Sequence, residues 1–246
     1  TTEHPDLKSA LVLKTVRVKG DDKLEALLLL LSKIAGKSTI IFCNHREAVG
    51  RISEQLSIYR IDHGFYHGGL EQIDREKVLI KLRNGSINVL VTTDLASRGL
   101  DIPEIEVVIH YQLPPTEDVM IHRNGRTARM NANGTSYFLL DQGDHFPEFI
   151  KESPEEEILP SEMILPPPCP WKTLYISAGK KDKINKMDIV GMLLQKGQLL
   201  KEELGKIEVL DHSAYAAIRT DKIAKVLQLV REEKIKGKRV KMEIAS

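Results

Sequence analysis

Along the first 150 residues, short β-branched runs alternate with stretches of helical spacing. The runs are Thr39-Ile40-Ile41-Phe42-Cys43, Val89-Leu90-Val91, Val107-Val108-Ile109 and Tyr137-Phe138-Leu139-Leu140. They do not alternate polar with apolar residues, so each predicts a strand buried on both faces. Between them, Val49, Ile52 and Leu56 share one helical face, as do Val78, Leu79 and Leu82. The expected fold is α/β, a parallel sheet with helices on both faces.

The pattern changes beyond residue 170. Residues 173–177 predict a strand, 187–195 a helix, and 207–210 with 214–218 a strand pair. Ile223, Val226, Leu227 and Val230 keep helical spacing, and 240–244 alternate as a last strand. That order, βαββαβ, is ferredoxin-like and predicts a small α+β domain. Between Ile150 and Pro170 lie Glu155, Glu156, Glu157 and six prolines, which predict a stiff, extended, acidic connector. The expected organisation is a domain over 1–149, a linker over 150–170 and a second domain over 171–246.

Composition narrows the class. An apolar fraction of 41% is enough for packed cores. The longest apolar run, 26–31, is far short of the roughly 20 residues of a membrane span. No basic-then-apolar leader opens at Thr1, and the two distant cysteines, Cys43 and Cys169, make neither a disulfide framework nor a zinc site. A cytoplasmic monomer with no membrane partner and no metal site of its own is expected. The net charge of +1 hides an asymmetry: residues 171–246 hold 17 lysines and arginines against 10 acids. Those residues carry +7 and the first 170 carry −6, which marks the small domain as a polyanion binder.

Several motifs fall away on context. Gly36-Lys37-Ser38-Thr39 imitates the end of a phosphate-binding loop, but Leu31 stands where its first glycine belongs, and a helix precedes where a strand is needed. His63 and His67 read as strand without a following glutamate, so zinc is not expected. Trp171 reads as an anchor for the second domain.

Four other pieces carry chemistry. His122-Arg123-Asn124-Gly125-Arg126-Thr127-Ala128-Arg129 sets four basic side chains in eight residues, and Arg126 and Arg129 share a face on a helical turn. Arginine presents a fixed fork of donors to phosphate oxygens. Thr93-Asp94-Leu95-Ala96-Ser97-Arg98-Gly99-Leu100-Asp101 follows a strand, where ligands of open parallel sheets sit. Asn44-His45-Arg46 follows another strand, and His67-Gly68-Gly69 precedes Gln72 and Arg75.

In this order the pieces resemble motifs IV, Q-x-x-R, V and VI of the second RecA-like domain of DEAD-box RNA helicases. The resemblance spans residues 10–150. It implies ATP with Mg²⁺ as cofactor, most of whose site belongs to an N-terminal RecA-like domain absent from this sequence. Arg126 and Arg129 would meet the γ-phosphate, Arg129 as the arginine finger, and Gly99 and Asp101 would line the nucleotide. Arg98, His122 and Arg123 would bridge to the partner domain. Asn44, His45, Arg46, Gln72, Arg75 and Thr93 would grip the RNA backbone. Ala128 replaces the last glycine of motif VI, and His45 stands where a threonine is common. Without a phosphate-binding loop and a D-E-A-D segment, this chain is expected not to turn over ATP by itself.

The small domain adds a second resemblance. Leu174-Tyr175-Ile176-Ser177-Ala178-Gly179 resembles the first signature strand of an RNA-recognition motif, and 211–218 keeps only Tyr215 of the second. Placed after a helicase core, it is similar to the C-terminal RNA-binding domain of the DbpA subfamily, which implies a ribosomal RNA hairpin as partner. Tyr175 and Tyr215 would stack on bases, or else Lys180, Lys181 and Lys183 would carry the contact from a loop. The competing reading is a non-catalytic RNA-binding or chaperone protein with a residual RecA-like domain.

Overall fold

The computed structural model of the chain describes residues 11–20, 23–97, 101–127, 134–151 and 154–245. The first part runs β1 (Leu11–Arg17), α1 (Lys23–Lys33), β2 (Thr39–Cys43), α2 (Arg46–Ile58), β3 (His63–Tyr66), α3 (Gln72–Arg83), β4 (Val89–Thr93) and α4 (Asp94–Ser97). It continues through β5 (Val107–His110), α5 (Glu117–Asn124), β6 (Gly134–Leu140) and β7 (Glu155–Glu156). The second part runs β8 (Trp171–Ile176), α6 (Lys186–Gln195), β9 (Leu204–Val209), β10 (Ala214–Arg219), α7 (Ile223–Val230), β11 (Lys234–Ile235), β12 (Lys238–Arg239) and β13 (Met242–Ile244).

Seven strands form one sheet in the order β3-β4-β2-β5-β6-β1-β7, all parallel. Every residue of β2 and β5 is buried, as the unbroken apolar runs require. Ile41, Val91 and Ile109 face the core with Leu27 and Leu30 of α1 and Val49, Ile52 and Leu56 of α2. On the other side, α5 lies against the rung of Phe42, His110 and Phe138. The carboxyl ends of β2, β3 and β4 therefore open onto the segments at 44–46, 67–71 and 94–97.

The second sheet is antiparallel, ordered β13-β8-β10-β9. With α6 and α7 it realises the expected βαββαβ order, and the small hairpin β11–β12 is inserted before the last strand. Its core gathers Leu174, Ile176, Ile189, Leu193, Ile218 and Val226.

Contacts group the residues into two compact units. The first runs to residue 71 and again from 88 to 168; the second joins 72–87 to the segment beginning at Cys169. Helix α3 falls in the second unit because its C-terminal end is clamped there. Arg83 donates to both carboxylate oxygens of Glu208 at 3.1 and 2.8 Å, and Asn84 Nδ2 donates to Thr173 Oγ1 at 2.9 Å. Residues 154–168 of the expected stiff, acidic connector pack on the first unit. Their strand β7 extends the first sheet beside β1, and Leu159 and Met163 pack on its core. Glu157 is the anchor: its carboxylate accepts from Lys14 at 2.9 Å, from Tyr137 at 3.2 Å and from Lys33.

Candidate functional site

The loops after β2, β4 and β5 and the end of α5 meet in one buried polar cluster. Its centre is Arg123, whose side chain is only 1% exposed. Thr116 caps α5, its hydroxyl accepting from the Val119 amide at 3.3 Å, which starts the helix in phase to turn Arg123 inward. The guanidinium donates to Asp94 Oδ1 and Oδ2, both at 2.6 Å, to Asn44 Oδ1 at 2.7 Å and to the Gln112 carbonyl at 2.8 Å. It lies over the Phe42 ring, 5.3 Å from the centroid. Arg123 thus ties the segments after β2, β4 and β5 together, where the sequence reading expected it to bridge to a partner domain. A guanidinium without solvent access has its donors already committed.

Beneath it lies a layer that sequence reading missed. His110, fully buried, meets Arg123 Nη1 at 3.3 Å, Asn124 Oδ1 at 3.0 Å and Ser136 Oγ at 3.0 Å, and stacks on Phe138 at 4.4 Å. Burial, reinforced by the Arg123 charge, pushes the imidazole down to about 3, so it stays neutral. A histidine at the end of an apolar strand gave no periodic signal. Only its polarity within the run 107–109 and on to His110 marked it.

The other predicted residues divide by position. Asn44 spends its side chain inward, donating to the Leu113 carbonyl at 3.2 Å as well as accepting from Arg123. His45 and Arg46 are exposed beside it, with Arg46 against Glu47 at 3.1 Å. Thr93 is half-buried at the end of β4. Asp101 is exposed at the start of the segment leading to β5. That segment lies along Arg126 and Thr127: the Ile105 amide donates to the Arg126 carbonyl at 3.2 Å, and Thr127 Oγ1 to the Glu106 carbonyl at 3.3 Å. Arg126 is half-buried there. His122 is exposed, its Nδ1 2.7 Å from the Asp118 carbonyl. Arg98, Gly99 and Arg129 lie outside the described residues. No group of three or more histidines, cysteines or acids that could hold a metal occurs among the described residues.

In the second unit, Gln72 and Arg75 sit on the first turn of α3. Tyr215 differs from the expectation of an open stacking platform. Its ring is 2% exposed, enclosed by Ile80 of α3 and Ala245, with half-buried Tyr175 at 5.5 Å between centroids. An aromatic side chain buried to that extent is packing, as β10 is buried along nearly its whole length. Lys180, Lys181 and Lys183 are all exposed.

The helicase conserved C-terminal domain matches residues 22–131, and the DbpA RNA binding domain matches 173–244. The ATP-dependent RNA helicase DbpA of Bacillus subtilis is 28% identical over 99% of this chain and 58% of its own length. That of Escherichia coli is 31% identical over 90% of this chain and 50% of its own length. The chain therefore spans about half the length of these relatives. Among solved structures, the E. coli DEAD-box protein SrmB bound to regulator of ribonuclease activity A covers 61% of this chain at 30% identity, with a TM-score of 0.56. A DEAD box protein from Methanococcus jannaschii covers 56% at 28% identity and a TM-score of 0.51. The chain is therefore a helicase conserved C-terminal domain followed in series by a DbpA RNA binding domain, similar to the C-terminal half of the DbpA-like DEAD-box helicases.

Proposed function

We propose that this chain serves an ATP-dependent RNA helicase that remodels structured RNA, specifically ribosomal RNA during assembly of the large subunit in the cytoplasm. The observation that carries the reading is the Arg123 cluster, which fixes the segments of three helicase motifs in one place, in a chain that also matches an RNA-binding domain. A monomer in which an N-terminal RecA-like domain closes on this one completes the enzyme. ATP bound with Mg²⁺ supplies the energy of each closing and opening cycle.

The residues of this chain divide the labour. Arg126 and Arg129 place positive charge against the phosphates as negative charge develops on them, and Asp101 and Gly99 line the ribose side. Exposed His122, together with Arg98, would serve contact with the partner domain. His45, Arg46, Thr93, Gln72 and Arg75 hold the RNA backbone, with Asn44 setting the loop through its inward bonds. Arg126, pinned beside the segment 105–106, is suited to an anionic group, and the exposed Asp101 carboxylate to the hydroxyls of a ribose.

The test uses the protein that includes the N-terminal domain. Arg129→Ala is expected to lower RNA-stimulated kcat by roughly 10³–10⁵ while RNA affinity stays within a few-fold. A preserved kcat would remove Arg129 from catalysis, and a parent protein with no RNA-stimulated turnover would favour the non-catalytic reading.

A further inference from the structure

Helix α3 lies within residues 22–131, which match the helicase domain, yet its C-terminal half is held by residues of the small domain. Three contacts of different kinds hold it. Ile80, 1% exposed, packs with Tyr215 and Ala245. Arg83 grips both carboxylate oxygens of Glu208, a bidentate pair whose side chains are only 21% and 19% exposed. The third contact is a closed polar ring. Asn84 Nδ2 donates to Thr173 Oγ1, Thr173 donates to Ser86 Oγ at 2.7 Å, and the Ser86 amide donates back to Asn84 Oδ1 at 3.0 Å. All three residues are buried.

Such a ring selects one geometry, because any slip would leave buried polar groups without partners. The turn that follows the helix fits as closely. Gly85 holds φ +78, and a Cβ there would meet Trp171 Cδ1 at 3.3 Å. A Cβ on Gly205 would meet Cζ3 of the same ring at 3.1 Å. The indole is thus a slab between two glycines, with the Arg219 guanidinium over it at 5.9 Å. Apolar packing, an ion pair, a polar ring and a fitted aromatic all fix the same few residues. The seat of α3 is specific.

The other end of the helix carries Gln72 and Arg75, on its first turn. An α-helix is a stiff rod, so fixing Ile80, Arg83 and Asn84 fixes the direction of all 12 residues. Gln72 and Arg75 lie roughly 12–16 Å along the axis from Arg83. By their spacing, Gln72, Glu76, Ile80 and Arg83 share one face. A tilt of about 10° at the seat would carry Gln72 by roughly 3 Å, the full length of a hydrogen bond. Small changes at the seat are therefore large at the first turn.

We propose that Ile80, Arg83 and Asn84 are positioning residues, through which the small domain sets the angle of α3 and holds Gln72 and Arg75 in register with the RNA backbone. The inference rests on the RNA-helicase reading above and adds to it a task for the small domain that involves no RNA contact of its own. Glu208 and Thr173 are the small domain's side of this brace. Gln72 and Arg75 then grip RNA at full strength only while the brace is closed.

The test reverses the ion pair, whose partly open side chains tolerate substitution, in the protein that includes the N-terminal domain. The probe is a single-stranded uridine oligomer, which offers the small domain no hairpin. R83E and E208R are each expected to raise the RNA concentration for half-maximal ATPase by about fivefold, with kcat within about twofold. The double variant R83E/E208R should return to within about twofold of the parent. A purely structural role would lower the melting temperature and leave that RNA concentration unmoved well below melting. Amide hydrogen exchange in the chain itself gives a second readout, at residues 76–79, whose amides are the first in α3 to have acceptors within the helix. It should be about tenfold faster in R83E and recover in the double variant. Single variants that match the parent in either readout overturn the brace, as does a loss that the double variant fails to recover. A full-length parent without RNA-stimulated turnover overturns the helicase reading itself, a result distinct from both.

Discussion

Arg123 and Asp94, 29 residues apart in sequence, meet through two hydrogen bonds of 2.6 Å, with the arginine fully enclosed and the aspartate partly open. Their pairing locks the end of α5 to the start of α4, so neither helicase motif holds its place without the other. Arg123→Ala strands a carboxylate whose partner is gone and empties a buried site. The expected loss is about 3–5 kcal/mol of unfolding free energy, read by urea denaturation. Arg123→Lys should recover little, because one ammonium cannot serve Asp94, Asn44 and the Gln112 carbonyl at once.

His110 makes acid stability a specific readout. Its imidazole is neutral in the fold, held down to about 3, whereas in the unfolded chain it takes a proton near 6.5. The unfolded state therefore binds the extra proton in this window, and stability falls as pH drops from 6.5 toward 3. The slope from this group approaches about 1.4 kcal/mol per pH unit. His110→Gln should flatten that part of the profile relative to the parent chain. Equal slopes in the two proteins would contradict a buried neutral histidine.

Tyr215 should behave as core. Tyr215→Ala is expected to cost about 3–5 kcal/mol in stability, measured by thermal or chemical denaturation, as for other large buried aromatics. Tyr215→Phe should retain most of it. Weakened RNA binding by Tyr215→Ala without any loss of stability would return the ring to the binding surface.

Glu157 fastens residues 155–159 to the first sheet. Burial pushes its carboxyl up, but the bonds from Lys14 and Lys33 outweigh that and hold it below the usual carboxylate range. Its contribution is present near neutral pH and lost as pH falls through the lowered value. Glu157→Gln should speed amide hydrogen exchange across 155–157, where the Glu157 amide donates to the Thr15 carbonyl at 2.7 Å. Unchanged exchange would show that Leu159 and Met163 hold the segment alone.

What the chain alone made legible was whatever local periodicity and short motifs encode. The unbroken runs at 39–43, 89–91 and 107–109 announced buried parallel strands, because a strand covered on both faces has no polar positions to show. The arginine-rich end of α5 and the loop after β4 announced their chemistry through side-chain types that suit phosphate. The charge imbalance announced the basic second domain. Tertiary structure decided the rest. Nothing in the order His122-Arg123 tells which of two adjacent basic residues turns inward; the capped phase of α5 against Phe42 and Asp94 does. The prolines and glutamates of 150–168 look like a connector, and only the exposed edge of β1 offers them a strand to join. Tyr215 carries the same residue type in a stacking platform as in a core, and the Ile80 side chain over it makes the difference. Spacing along a chain fixes which residues share a face. Which element then covers that face depends on contacts between segments far apart in sequence, and those exist only once the chain has packed.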